Sequence, residues 1–180
     1  AAAALDLALD VVESGYTRQA LVALLRSPHF AWGAGGAPLL PGAVSALDRA
    51  LAESRYLGGL SRLDALADQW QGSATSDAVQ AALTAARELA PLALSAPASV
   101  QLLRLAAFLA AHSAAVEEDS PFVSRGRRAK AAVDQILTAL ASAHAAYHDP
   151  LWTIAERASG VRRWIEQGTF VPASSGAGAS

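Results

Sequence analysis

Apolar positions recur at three- and four-residue intervals along nearly the whole chain, the spacing that turns one side of an α-helix toward a core. Leu5, Leu9, Val12 and Tyr16 share one face of a first helix, and Gly15 is placed to end it. Thr17 is the expected N-cap of a second helix carrying Leu21, Val22, Leu24 and Leu25. Ser27-Pro28 stops that helix, because the residue before proline avoids the αR region. Residues 31–42, AWGAGGAPLLPG, read as a loop. A third helix is expected from about Ala43 to Ser54, and Gly58-Gly59 breaks the chain after it. Leu60, Leu63, Leu66 and Trp70 mark a fourth.

The polar QGSATS connector leads into a fifth helix from about Asp77 to Leu89, with Ser76 as N-cap and Asp77 where a negative charge suits the helix dipole. Pro91 and Pro97 bracket a looser stretch. Leu102, Leu103, Leu105, Phe108 and Leu109 then make a sixth helix, apolar enough to be expected at the centre. The seventh and longest is expected from about Ser124 to Tyr147, with Val133, Ile136, Leu137, Leu140 and His144 as its stripe and Asp149-Pro150 as its stop. Trp152, Ile154, Val161, Trp164 and Ile165 fit an eighth.

No segment alternates as a strand does, and no fixed-period repeat aligns. The expectation is an all-α, irregular bundle of about seven to nine helices with no sheet. One domain spans residues 1–171, and residues 172–180, PASSGAGAS, are linker-like. Leu21, Leu25, Leu103, Phe108, Ile136, Leu140 and Trp164 are expected to be buried together.

Composition narrows the class. Hydrophobic residues make up 53% of the 180 and charged residues 17%. So few charges suggest a chain that hides part of its surface against another domain. Methionine is absent even at position 1, and Ala1–Ala4 read as helix interior, so an excised piece of a larger protein is expected. Cysteine is absent too, which excludes disulfides and thiolate metal sites. No apolar run of about 18 residues and no signal-peptide pattern occur, so the expectation is a cytoplasmic protein with no membrane partner.

Candidate chemistry is sparse. A phosphate-binding P-loop needs a glycine-rich turn followed by Lys-Ser/Thr, and the one lysine, Lys130, stands in Arg128-Ala129-Lys130-Ala131. A nuclease of the PD-(D/E)XK type needs a carboxylate two residues before a lysine, where this chain has Arg128. GxSxG, HExxH and GxGxxG do not occur. No catalytic residue, cofactor-binding residue or metal ligand is therefore expected in this chain. His144 and His148 have the i, i+4 spacing that can chelate a metal from one helical face, but a histidine near a helix C-terminus also simply suits the dipole. The four tryptophans, 32, 70, 152 and 164, could stack bases, yet at helical spacing they read as core; Trp32, in the Gly-rich loop, is the one expected to be exposed.

The basic cluster Arg125, Arg127, Arg128 and Lys130 falls in the first turns of the seventh helix, in a chain of net charge -2. Cations are locally unfavourable at a helix N-terminus, so something should offset them. One candidate is surface pairing with the acidic run Glu117-Glu118-Asp119, worth about 0–1 kcal/mol per pair. The other is a nucleic-acid phosphate held by the arginines and the helix N–H groups. Thirteen of the 14 basic residues being arginine is a genome-composition bias and adds nothing to that reading.

Two segments carry a family likeness. Thr17-Arg18-Gln19-Ala20-Leu21-Val22-Ala23-Leu24-Leu25-Arg26-Ser27-Pro28-His29-Phe30 resembles the short helix ending in Leu-Leu-x-Ser-Pro-aromatic that opens a helical accessory domain in helicase-nuclease proteins of the AddB and RecB type. Trp152-Thr153-Ile154, Val161-Arg162-Arg163-Trp164-Ile165-Glu166 and Thr169-Phe170-Val171-Pro172 resemble the stretch before those chains re-enter their second motor-like domain. Residues 31 to 150 match only in being helical.

The resemblance implies a 2B-like accessory domain of a superfamily 1 helicase, carrying no ATPase motif, in a protein of DNA end processing and double-strand-break repair. It implies as partners the flanking motor-like domains, an AddA-like helicase subunit and duplex DNA, touched here by Arg125, Arg127, Arg128 and Lys130. The parent would be an ATP-dependent helicase or exodeoxyribonuclease subunit using ATP and magnesium, with a PD-(D/E)XK nuclease domain elsewhere. Two other classes fit the composition: a helical ligand-binding or regulatory domain of a transcription regulator, and a purely structural docking domain.

Overall fold

Glycine and proline set the corners of the fold, and alanine and leucine fill the helices between them. The computed structural model describes residues 2–33, 39–114, 123–153, 156, 159–160 and 163. Among these, seven α-helices follow in order: α1 Ala2–Glu13, α2 Arg18–Arg26, α3 Pro41–Glu53, α4 Leu60–Gln69, α5 Ser76–Leu89, α6 Ala98–His112 and α7 Val123–Tyr147. A 3₁₀ turn, Ala90–Ala93, joins α5 to the next segment. The chain is thus all-α, as expected. The tail and most of the expected eighth helix, including Trp164, lie outside the described residues.

The expectation of no sheet is corrected. Ala96–Pro97 (β1) pairs antiparallel with Leu151–Trp152 (β2), with Ala96 opposite Trp152 and Pro97 opposite Leu151. Two residues are too few for a period-two pattern to register, so nothing in the sequence marks them. Thr75, rather than Ser76, is the N-cap position of α5, one residue from the expected place.

The centre of the bundle is α5, not α6. Eight α5 residues are buried, five of them alanine (Ala78, Ala81, Ala82, Ala85, Ala86) beside Val79, Leu83 and Leu89. Alanine adds little bulk, so α1, α2, α3, α4 and α6 all pack against this one helix. Around it, Leu5, Leu9, Leu21, Leu24, Leu47, Leu51, Leu63, Leu66 and Leu102 are fully buried. Of the expected core, Leu21, Leu25 and Phe108 are in it. Ile136 is only half-buried, Leu140 packs against the core from its edge, and Leu103 is 51% exposed. α6 is apolar nearly all round, and a helix without a polar face gives periodicity nothing by which to choose its inner side.

The corner between α1 and α4 is a knot of backbone and tyrosine. Gly15 and Tyr16 turn left-handed, at φ 69° and 64°, as α1 ends. Gly59 N–H donates to the Gly15 carbonyl (2.9 Å), and the Tyr56 hydroxyl donates to the Tyr16 carbonyl (2.8 Å). Burial, with the neighbouring Tyr16, pushes the Tyr56 hydroxyl up to about 12, so it stays a donor across the ordinary pH range.

A second tie closes the α6–α7 hairpin. The Asp149 carboxylate, just past the end of α7, accepts from Ser99 N–H (2.8 Å) and from the Ser99 hydroxyl (2.5 Å), so it caps α6 across 50 residues. Ala98 N–H donates to the Pro150 carbonyl beside it (2.9 Å). The two Ser99 bonds, helped by nearby His144, hold the Asp149 carboxyl below its usual value. A carboxyl depressed on folding stabilises above its unfolded pKa, about 3.9, and that contribution is lost as pH falls through the folded value. Asp149→Asn is therefore expected to melt at a lower temperature than the parent at neutral pH. The gap should narrow as pH drops below about 4. Thermal melts in a buffer series check this, and a gap that stays constant into acid would remove the ionised cap.

Candidate functional site

The basic cluster lies on the first half of α7. That helix packs chiefly on α6, and it buries only Leu137 and Ala141 fully among its described residues. Residues 126–132, GRRAKAA, offer no large apolar side chain, and every one of them is exposed. The Arg125 backbone lies in the first turn of α7, while its side chain is outside the described residues. The dipole fades within that first turn, so Arg127, Arg128 and Lys130 lie beyond its strong reach. The acidic run Glu117–Asp119, the alternative partner of the cluster, is also outside the described residues.

The structure divides the cluster. Lys130 stands seven residues, two helical turns, before buried Leu137, and so lies on the same side of α7 while itself exposed. Arg127 holds the same relation to Asp134. Arg127 and Lys130 line a groove of about 620 Å³ between α7 and α6, and Arg128 does not. Ala106, Leu109 and Ala110 of α6 form one apolar wall, and Val133 and Leu137 of α7 face them. Ala4 of α1 and His29, after α2, close the side. Partial desolvation there holds the His29 imidazole below its usual value, which leaves it neutral at pH 7.

Trp32 is not an exposed loop residue. The segment around it is strapped to the end of α6: Ala31 N–H donates to the His112 carbonyl and Ala114 N–H to the His29 carbonyl, both at 2.9 Å. The indole stacks on the His112 ring, with centroids 4.4 Å apart, and tilts against Phe30 and Phe108. His112 Nε2 in turn lies 2.5 Å from the Glu88 carboxylate on α5. Sequence reasoning missed this Glu88–His112–Trp32 arrangement, since its members are far apart in the chain and each looks ordinary alone. Beside it is a second hollow of about 480 Å³, with Asp77, Gln80 and Thr84 on its rim.

The histidine pair at the end of α7 is occupied locally. His144 Nδ1 lies 2.9 Å from the His148 carbonyl, its ring meets Trp152 edge-on, and neighbouring Asp149 serves Ser99. Among the described residues no three His, Cys, Asp or Glu side chains are grouped to hold a metal ion. No described helix is long and apolar enough to cross a membrane.

Fold and surface together define an all-α bundle with a basic exposed helix bordering an apolar groove. No family model, curated protein or solved structure matches the chain.

Proposed function

We propose that this chain is a non-catalytic helical accessory domain of an AddB- or RecB-type helicase-nuclease, acting in DNA end processing and contacting duplex DNA through α7. The observation that carries the contact is the exposed cationic segment of α7, Arg127, Arg128 and Lys130, with Arg125 in the turn before. The likeness of residues 17–30 and 152–172 to that family supports the parent class. The structural setting adds that Leu21, Val22, Leu24 and Leu25 of the first segment are buried, so its pattern serves packing. In this reading the flanking motor-like domains and an AddA-like subunit are the protein partners, and ATP and magnesium belong to the parent.

Phosphate contacts of this kind position a protein without reading sequence. Binding is therefore expected to be non-specific and to weaken with salt at a log–log slope of about 0.9 per phosphate neutralised. In the parent protein, replacing Arg125, Arg127, Arg128 and Lys130 by glutamine should lower duplex affinity and flatten that slope. Titrations at two salt concentrations give both readouts. An unchanged affinity with an unchanged slope would remove α7 from the DNA interface.

A further inference from the structure

We propose that the outer face of α6 is a self-association surface, on which a second copy of this chain seats its own α6 to form an antiparallel two-fold dimer. This association goes beyond the accessory-domain reading and does not depend on it. A helix in a bundle turns its polar residues toward water. Even α5, the hub, does so: its exposed positions are Asp77, Gln80, Thr84, Arg87 and Glu88. The exposed positions of α6 are Val100, Leu103, Arg104, Ala107, Ala110 and Ala111, and all but Arg104 are apolar. At 3.6 residues per turn these positions fall within about 120° of arc, turned away from buried Leu102 and Leu105. More apolar surface joins at the Val100 end. Leu94 is 66% exposed, and its carbonyl accepts from Gln101 Nε2 (2.7 Å). Leu151, exposed to the same degree, stands across the β1–β2 pair from Pro97, where α6 begins. A contiguous exposed apolar surface of this kind marks an interaction site.

The order of side-chain sizes names the partner. Along α6 the face is bulky at one end, Val100 and Leu103, and small at the other, Ala107, Ala110 and Ala111. An antiparallel copy crossing at Ala107 sets Leu103 of each chain against Ala111 of the other. Bulk then meets space at both ends, and two alanines meet at the centre, where the helices approach most closely. A parallel copy would set Leu103 on Leu103 and leave a gap between the alanines. Charge raises no obstacle. Arg104 lies at the edge of the arc, donates to the Pro91 carbonyl (3.4 Å) and stands about 9 Å along the helix from its two-fold image. The net charge of the chain is -2, so two copies repel only weakly. From Val100 to Ala111 the face is about 17 Å long. That is small for a stable interface, so the dimer is a weak one, with a dissociation constant on the order of 10–100 µM.

Sedimentation velocity of the chain from about 1 to about 500 µM spans that constant and reads the association. The mean mass should rise from one chain toward two and level off there. Leu103→Glu and Ala107→Glu should each raise the dissociation constant about tenfold or more. Each change enters a two-fold interface twice and sets an unpaired carboxylate against apolar surface. Both positions are exposed in the single chain, so melts in dilute solution should stay cooperative and close to the parent's. Leu57→Glu, at an exposed leucine before α4, should associate as the parent does. The chain has no cysteine, so single cysteines report the geometry. Under mild oxidation Ala107→Cys should form a disulfide-linked dimer, and Leu103→Cys mixed with Ala111→Cys should cross-link to each other in preference to themselves. Duplex affinity in dilute solution should be unchanged by Leu103→Glu, since the α7 cations are intact, so this proposal and the DNA contact fail separately. A mass of one chain throughout, growth past two chains without a plateau, a dimer that survives both glutamates, or Leu103→Cys pairing with itself as readily as with Ala111→Cys would overturn the two-fold dimer.

Discussion

Truncating Leu102 to alanine is expected to destabilise the bundle by about 2–5 kcal/mol, while the same truncation at Leu103 costs less than about 1 kcal/mol. The two leucines are neighbours in sequence and identical in chemistry, and they differ in direction. One residue is a step of about 100° around a helix. Leu102 therefore joins Leu105, Ala106 and Leu109 on the inner side of α6, and is itself fully buried. Leu103 falls beside Val100 on the outer face, 51% exposed against 37% for Val100. Removing Leu102 deletes buried carbons and leaves a cavity that rigid neighbours close only in part, and both terms count. Removing Leu103 takes away apolar surface that already faced water and leaves no cavity. Chemical denaturation of the two variants beside the parent measures the contrast. Equal costs at the two positions would mean that α6 is rotated from the orientation described.

Gly58→Ala is the second change expected to be severe, costing about 2–3 kcal/mol or more. Gly58 has φ 146°, a conformation that side-chain-bearing residues rarely adopt. A Cβ there would stand 2.7 Å from the Gly15 carbonyl oxygen, which is backbone and cannot swing aside. That same oxygen accepts from Gly59 N–H, and the next carbonyl accepts from Tyr56, so relief of the clash pulls on both hydrogen bonds. Gly72 supplies the control. It has φ 72° but nothing within 4 Å of where an added methyl would sit, so Gly72→Ala carries only the left-handed penalty, about 1–2 kcal/mol. Denaturant midpoints of the two alanine variants give the comparison, and a smaller loss at Gly58 than at Gly72 would show that the α1–α4 corner yields.

The candidate site was legible in part. The run Arg125, Arg127, Arg128, Lys130 is visible as four cations within six positions. Its division into groove-lining and outward members is not, because that depends on where α7 meets α6. Helical register could have offered a hint: Lys130 and Leu137 are seven apart, so a stripe drawn through Leu137 reaches the lysine. The groove itself needs α1, the turn after α2, and α6 brought to one place, and no local pattern encodes that.

By itself the sequence determined the helices and their ends. Periodicity of three to four residues, Gly15, Ser27-Pro28, Gly58-Gly59 and Asp149-Pro150 act over a few residues, through backbone sterics and hydrogen bonds that need no distant partner. α1 to α6 therefore stand within a few residues of their expected bounds, as does α7. Tertiary structure decided what lies at the centre and which side of each helix is inside. Alanine-rich α5 became the hub because small side chains let five helices approach it, although leucine-rich α6 has the greater hydrophobicity. Trp32 was drawn in by a stack on His112, and Asp149 became the cap of a helix 50 residues away. Such choices follow from competition for limited buried surface among whole helices, a comparison of packings that no short stretch of chain contains.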